Sequence, residues 1–188
     1  FSSAANIEAL DSDFVFLEIR PTSLPLPGTS SKLGVFAKMD IPANELVCEY
    51  RGAVIPFTVP YESDYHFSTH DSQGNRIKIV PQPTELNSNN LPICSYVNDC
   101  VNIYGQEYSV EDVLAIEAQK KALYTYPGTD YNLRSLTTKM GKVFLVASKF
   151  IPKDSELFFP YGGDYWIHRL KLSLLEKTEQ PVQPVDGA

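Results

Sequence analysis

The sequence predicts a mixed, mainly β architecture in which many short strands and long loops are joined by two helices. Proline (14 residues) and tyrosine (11 residues) are abundant, which favours turns and strands over a helix bundle. The apolar runs are short and bounded by turn residues, as in sheets of small strands. Strands and helices do not alternate regularly, and no glycine-rich phosphate loop precedes a helix, which disfavours a doubly wound sheet.

The length of 188 residues suffices for one domain with a hydrophobic core and is short for two. Small polar residues at the start predict a loosely held flank over 1–13, and the proline-containing end predicts a linker-like tail over 178–188. We therefore expect a single domain over 14–177. The first residue is Phe1 rather than methionine, so we expect the chain to be part of a longer protein.

The predicted strands are short runs of β-branched and aromatic residues between turns. Hairpin loops are expected at 71–75 and 139–141, where glycine and other turn residues separate two such runs. The last strand is predicted to end in an aromatic cluster, with Tyr161 at its tip before two glycines. In order, the predicted strands are 14–20, 34–37, 46–52, 66–70, 76–80, 133–138, 142–148 and 156–161.

Two helices are predicted from their caps and their apolar period. Ser109 is the expected N-cap of the first, with two acidic residues in its first turn, and the period continues to about Leu123. The second helix is expected over about 164–177. The apolar residues that share one face of it are Trp166, Ile167, Leu170 and Leu174.

Charge restricts the partners of this domain. The net charge is −7, which is unfavourable for a surface that binds nucleic-acid phosphates and favourable for a basic partner. No apolar run is long enough to cross a bilayer, and no signal-peptide pattern is present, so we expect no membrane partner. The sequence therefore predicts a basic protein partner and no direct nucleic-acid site.

The cysteines are few and their spacing indicates no metal site. Cys48, Cys94 and Cys100 are an odd number without the paired spacing of a zinc site. We therefore expect no metal, and an intracellular protein whose cysteines are reduced.

Four short motifs, each weak alone, follow one another along the chain. They are Lys32-Leu-Gly-Val-Phe-Ala37, Glu49-Tyr-Arg-Gly52, Tyr96-Val-Asn98 and Glu156-Leu-Phe-Phe-Pro-Tyr161. Together they resemble the SET-domain protein lysine methyltransferases, over about residues 14–170. The resemblance implies the SET fold, in which several small β-sheets surround a pseudoknot-like C-terminal segment.

The chain departs from the family pattern at several positions. Lys32 replaces the first glycine of the opening motif, and Asp99 replaces the histidine that follows the motif asparagine. The asparagine that closes this motif is displaced to Asn132, which implies an insertion over about 103–130 that contains the first helix. No cysteine follows Cys100, so the zinc-binding segment that ends many members is not expected.

The resemblance implies transfer of a methyl group from S-adenosylmethionine to a lysine amine, with S-adenosylhomocysteine as product. Asn98 matches the asparagine that holds the cofactor, although a turn residue with local backbone bonding is the alternative interpretation. Trp166 would pack on the adenine, and a helix core residue is the alternative. The positions that match the family's cofactor site are Lys32, Leu33, Gly34, Asn98, Asp99, Tyr161 and Trp166.

The same resemblance implies a narrow aromatic channel for the lysine. Tyr161 matches the catalytic tyrosine and Tyr50 lines the channel, with a cross-strand packing role as the alternative for Tyr50. Phe159 precedes Tyr161 by two residues, so on one strand both would face the end of the channel. A phenylalanine there implies addition of two or three methyl groups; alternatively Phe159 is a core residue and Tyr131 sets the limit.

Two classes of function remain open from the sequence. The first is an active lysine methyltransferase in the nucleus, with a histone tail as the leading substrate by family resemblance and a non-histone protein as the variant. The second is a degenerate SET domain that binds a peptide or partner without turnover. Lys32 and Asp99 favour the second, whereas Tyr161, Tyr50 and Asn98 together oppose it.

Overall fold

The computed structural model describes residues 16–25, 32–60, 66–81, 92–103 and 107–179, with the side chains of 176–179 excepted. The predicted flank 1–13 and the predicted tail from residue 180 onwards lie outside these residues. The chain forms two compact units, each made of two segments. The first unit comprises 1–99 and 130–160, and the second comprises 100–129 and 161–188.

Among the residues that the structure describes, the first unit contains three small antiparallel sheets, as the mainly β prediction requires. One sheet pairs β1 (Leu17–Pro21) with β2 (Leu33–Ala37). The other two have three strands each, in the orders β3-β8-β7 and β4-β6-β5. Their strands are β3 (Leu46–Glu49), β4 (Ala53–Pro56), β5 (Phe67–His70), β6 (Arg76–Val80), β7 (Leu133–Thr137) and β8 (Val143–Ala147).

Both predicted hairpins are confirmed, and the first shows why its loop closes where it does. β5 and β6 pair around 71–75, where the Asp71 Oδ1 atom accepts hydrogen bonds from the backbone N–H groups of Gln73 (2.9 Å) and Asn75 (2.8 Å). Gly74 has a φ of 83°, which a residue without a side chain adopts at no cost. Side-chain bonding and glycine together thus define the turn.

The predicted strand 46–52 is wrong in its second half, because β3 ends at Glu49 and a separate strand, β4, begins at Ala53. Gly52 explains the break. A Cβ atom added at Gly52 would lie 2.1 Å from the Val80 carbonyl oxygen, so the backbones approach here more closely than any side chain permits. β4, which the sequence did not predict, then pairs with β6.

The core of the first unit surrounds β8, whose five residues are all buried. A central strand with both faces covered has a continuous apolar sequence rather than an alternating one, as Val143-Phe-Leu-Val-Ala147 has. Val35, Val47 and Leu157, from three other segments of the chain, complete the same cluster.

The segment 155–159 passes between two other parts of the chain. On one side, the Leu157 N–H donates to the Val35 carbonyl at 2.8 Å. On the other, the Phe159 N–H donates to the Asn98 carbonyl at 2.9 Å. The Asn132 side chain bonds to the backbone of this segment as a neighbouring strand would. It donates to the Glu156 carbonyl and accepts from the Phe158 N–H, both at 2.8 Å.

The predicted strand 156–161 is therefore corrected to isolated bridges at Glu156 and Phe158. Its partners are single residues of different segments, so no continuous ladder forms. Residues 159–162 have no strand conformation, and the period-of-two argument that related Phe159 to Tyr161 does not apply.

The expectation of reduced cysteines is wrong for two of them, since Cys48 and Cys94 form a disulfide with their Cα atoms 6.3 Å apart. Cys48 lies in β3, and Cys94 lies in the short 3-10 turn Ile93–Tyr96. The two are 46 residues apart in sequence and meet only through the fold, so spacing carried no signal. Cys100 is buried and lies outside this disulfide.

Reducing this disulfide is expected to destabilise the first unit. For two cysteines separated by 46 residues, the crosslink removes about 4 kcal/mol of chain entropy from the unfolded state. The midpoint of thermal unfolding should therefore fall by roughly 10 °C in dithiothreitol. The Cys48→Ala/Cys94→Ala double variant is the control, because the reductant has no bond to break in it. An equal shift in that variant would contradict the prediction.

The second unit contains the two α-helices found in the described part of the chain, α1 (Val110–Glu117) and α2 (Gly163–Glu179). Ser109 caps α1 as predicted: its Oγ accepts from the Asp112 N–H (3.1 Å), and the Asp112 carboxylate accepts from the Ser109 N–H (3.0 Å). Lys121 donates to the same carboxylate at 2.6 Å, which lowers the pKa of Asp112 to about 2.

α1 ends earlier than predicted, at Glu117 rather than near Leu123. The reason is local, because Gln119 has a φ of 57° and the left-handed conformation terminates the helix. The two helices pack through Val113, Ile116 and Leu170, and Leu123 covers this cluster from outside the helix. Neither helix has the length and apolarity needed to cross a membrane.

Candidate functional site

The amide of Asn98 is held at the start of β2. Its Nδ2 atom donates to the Leu33 carbonyl (2.9 Å) and to the Glu156 Oε1 atom (3.2 Å). Both partners are acceptors, so the NH₂ end of the amide must face them. Asn98 Oδ1 is then the end that remains to accept a hydrogen bond. The structure thus joins two predicted cofactor positions, Asn98 and Leu33, by a direct contact.

Gly34 lies against the same two side chains. A Cβ atom added there would be 2.2 Å from Glu156 Oε1 and 3.2 Å from Asn98 Nδ2. The remaining glycine of the opening motif is therefore required by close packing and not by a special φ angle. Lys32, at the position of the missing glycine, has an exposed side chain, and its carbonyl accepts from the Thr22 N–H at 3.0 Å.

Asp99 is paired with Tyr131. Asp99 is only 5% exposed, and its Oδ1 atom accepts a hydrogen bond from the Tyr131 hydroxyl at 2.8 Å. This contact gives the buried carboxylate a partner at the position where the family pattern has histidine. It also commits the Tyr131 hydroxyl, which the sequence analysis placed in the substrate channel, to Asp99.

An aromatic cluster brings together the other two predicted channel residues of the first unit. The Phe67 ring lies 5.4 Å from the Tyr50 ring and 5.7 Å from the Phe159 ring, measured between centroids. Tyr50 and Phe159 are partly buried and pack against the core. Phe67 was not predicted as a site residue. It lies on β5, and only the sheet pairing places it beside Tyr50 and Phe159.

In the second unit, Tyr161 and Trp166 are stacked with centroids 6.0 Å apart and an interplanar angle of 6°. Tyr165 meets both rings edge-on. Trp166 is 8% exposed and Tyr161 is 38% exposed, so the tryptophan supports the tyrosine ring and the tyrosine reaches solvent. Trp166 is therefore a buried residue of the helix and also a direct contact of the predicted catalytic tyrosine.

Glu156 is the buried charge at the centre of the Asn98 site, and the sequence analysis gave it no role. It accepts from the Thr22 hydroxyl (2.6 Å) and from the Ser23 N–H (2.7 Å) and hydroxyl (2.5 Å). A signal was present, because an acidic residue beside the apolar run Leu157-Phe158 must find donors if that run is buried. Nothing in the sequence indicated that these donors would be Thr22 and Ser23.

The first unit thus supplies one amide, that of Asn98, held by a buried carboxylate, and an apolar aromatic cluster of Tyr50, Phe67 and Phe159. Within the described ranges, no group of three or more histidine, cysteine, aspartate or glutamate side chains could hold a metal ion.

Three solved structures are similar to this chain at a low level. The methyltransferase domain of human PR domain-containing protein 2 is 14% identical, with a TM-score of 0.48 over 76% of this chain and 74% of that chain. KRYPTONITE, in complex with mCHH DNA, an H3(1-15) peptide and SAH, is 18% identical (TM-score 0.44, 78% and 23%). The polycomb repressive complex 2 of Chaetomium thermophilum is 19% identical (0.46, 78% and 15%). This chain therefore spans less than a quarter of the length of the latter two.

The family model of the SET domain matches residues 32–162, which is more than half of the 188 residues. This range contains all four motifs of the sequence analysis, from the Gly34 motif to Tyr161. No curated protein matches the chain in sequence. The small antiparallel sheets around the threaded segment 155–159 agree with the predicted fold class. The chain belongs to the SET domain family.

Proposed function

We propose that this chain is a protein lysine methyltransferase that uses S-adenosylmethionine. The observation that carries the proposal is the fixed amide of Asn98 between Leu33 and Glu156, beside a glycine that admits no side chain. Such close, oriented polar contacts are typical of a preorganised ligand site.

The cofactor would be held by the residues around the start of β2. Asn98 Oδ1 would accept from the ammonium of the methionine part, while the backbone of 32–34 and of Asp99 would line the site. Trp166, by family resemblance, would pack on the adenine. S-adenosylmethionine, when bound, supplies the methyl group as an electrophile.

The lysine side of the site must accept a long apolar stem and a neutral amine. A free lysine has a pKa of about 10.4, so the amine has to lose its proton before it can act as a nucleophile. The apolar cluster of Tyr50, Phe67 and Phe159 disfavours the charged ammonium and contacts the stem. The Tyr161 hydroxyl is proposed to orient the nitrogen, and such positioning supplies much of the acceleration.

The substrate proposed is a basic protein segment, with a histone tail as the leading case. The net charge of −7 favours association with a basic tail. A nuclear location is part of the same proposal. The Cys48–Cys94 disulfide argues against that location, because disulfides are uncommon in reducing compartments such as the nucleus. Thermal unfolding in dithiothreitol measures how much stability the protein keeps when this disulfide is reduced.

The deciding experiment is incubation with labelled S-adenosylmethionine and a panel of histones, nucleosomes and basic non-histone proteins. We expect label on a lysine of at least one substrate, and loss of label in Asn98→Ala. A chain that binds the cofactor and a peptide but transfers no methyl group would support the degenerate binding module instead. A chain that binds neither would reject both functions.

The number of methyl groups added is predicted to depend on Phe159. Its ring lies in the Phe67 cluster, and a tyrosine there would bring a hydroxyl and an ordered water into the space of an extra methyl group. We expect di- or trimethyl lysine from the wild type and monomethyl lysine from Phe159→Tyr, measured by mass spectrometry of a substrate peptide. The same product distribution from both proteins would transfer this role to another residue.

A further inference from the structure

The Glu156 carboxylate is buried at 7% exposure and bonded by neutral donors from two distant segments. Thr22 and Ser23 reach it from the end of β1, and Asn98 reaches it from the segment after the 3-10 turn. No ion pair joins Glu156 to a lysine or arginine in the part of the chain that the structure describes. A buried carboxylate bonded in this way is costly to move, because each oxygen would lose its donors.

The Thr22 hydroxyl has its direction imposed by the backbone. Its Oγ1 atom accepts from the Leu24 N–H at 3.2 Å, so its own proton is directed to Glu156 Oε1 at 2.6 Å. The same Oε1 atom accepts from Asn98 Nδ2. One carboxylate oxygen thus connects the turn 22–24 with the Asn98 amide.

Turning the Asn98 amide by 180° would bring Oδ1 against two acceptors, the Leu33 carbonyl and Glu156 Oε1. The charge on Glu156 makes that arrangement repulsive and makes the observed bond a charge-assisted one. Without the carboxylate, only the single bond to Leu33 would select the orientation. The direction of Asn98 Oδ1 therefore depends on Glu156.

We propose that Glu156, held by Thr22 and Ser23, is a positioning residue that orients the Asn98 amide and so presents Oδ1 to the ammonium of S-adenosylmethionine. The inference rests on the proposed function for its ligand and on the contacts above for its geometry. Glu156 is not assigned a contact with substrate or cofactor; it acts through Asn98.

Calorimetry with two nucleosides tests whether Glu156 affects binding of the amino-acid part of the cofactor. S-adenosylhomocysteine carries the amino-acid part with its ammonium, and methylthioadenosine lacks it. Glu156→Gln replaces the two carboxylate oxygens by an amide. We therefore expect the dissociation constant of S-adenosylhomocysteine to rise tenfold or more, and that of methylthioadenosine to change by less than twofold. Thr22→Val, which removes the hydroxyl, should weaken the binding of S-adenosylhomocysteine, and Thr22→Ser, which keeps the hydroxyl, should bind it like the wild type. Glu18→Gln, at a half-exposed carboxylate on β1 that pairs with Arg20 rather than with Glu156, is the matched control.

A double-mutant cycle separates positioning from a merely structural role. If Glu156 acts through Asn98, the Glu156→Gln/Asn98→Ala variant binds S-adenosylhomocysteine as weakly as Asn98→Ala alone. Additive losses in the cycle, or equal losses for the two nucleosides, would overturn the proposal in favour of Glu156 as a fold-holding residue.

Nuclear magnetic resonance of the Asn98 side-chain amide tests, without any ligand, whether Glu156 fixes the orientation of that amide. Two fixed hydrogen bonds predict distinct, slowly exchanging Nδ2 protons in the wild type and faster exchange in Glu156→Gln and Thr22→Val. Averaged, fast-exchanging protons in the wild type would refute the positioning. A wild type with ordered amide protons that binds neither nucleoside would reject the proposed function and the cofactor half of this inference together.

Discussion

Tyr161→Phe is expected to lose methyl transfer by about 10²-fold or more while the protein keeps its fold. The substitution removes one hydroxyl from a site that works by orientation, and misplacement of a reacting group costs about this factor. The phenylalanine ring keeps the stack on Trp166, and the tyrosine is already 38% exposed, so little burial is lost. The measurement is the single-turnover rate with labelled S-adenosylmethionine, beside a thermal unfolding curve.

Tyr165→Phe is the matched control for this prediction. Tyr165 packs edge-on against Tyr161 in the same cluster, so its phenylalanine variant removes a neighbouring hydroxyl without changing the rings. We expect it to retain most of the activity. Near wild-type turnover in Tyr161→Phe, or equal losses in the two variants, would move the catalytic role to another residue.

Gly34→Ala is expected to abolish detectable cofactor binding and to destabilise the first unit. The new Cβ atom would lie 2.2 Å from Glu156 Oε1, and this carboxylate cannot retreat without losing its donors on Thr22 and Ser23. Overpacking of this kind costs about 1–3 kcal/mol. Because the displaced carboxylate also holds Asn98, both the affinity and the unfolding midpoint should fall.

Gly163→Ala is the comparison variant, since a Cβ atom at this first residue of α2 would meet nothing within 4 Å. We expect an unchanged or slightly raised unfolding midpoint, because alanine favours the helix. Denaturant unfolding and calorimetry of both variants test the contrast. Wild-type affinity in Gly34→Ala would show that the Glu156 site tolerates rearrangement, and would weaken the assignment of Asn98 as a cofactor residue.

The mainly β architecture, both hairpins and the cap of α1 are predictable from the amino-acid sequence alone. Each depends on residues close in sequence: Asp71 and Gly74 close one loop, and Ser109 with Asp112 caps the helix. Local hydrogen bonding and backbone preference act over a few residues, so their sequence signals are strong. The ordered motifs from Gly34 to Tyr161 likewise identified the family over the range that its model matches.

Long-range packing decided the rest. The break at Gly52 depends on the Val80 carbonyl, the disulfide joins Cys48 to a residue 46 positions away, and Phe67 enters the aromatic cluster through its sheet. Such contacts bring together residues whose separation in sequence carries no periodic signal.

Glu156 shows this division most directly. Its place in a motif was visible in the sequence, and so was the apolar run that follows it. Its function as an acceptor for Thr22, Ser23 and Asn98 exists only where three separate segments meet. A buried carboxylate takes its role from whichever donors the fold brings within hydrogen-bonding distance, and those donors are selected by tertiary packing, not by sequence neighbours.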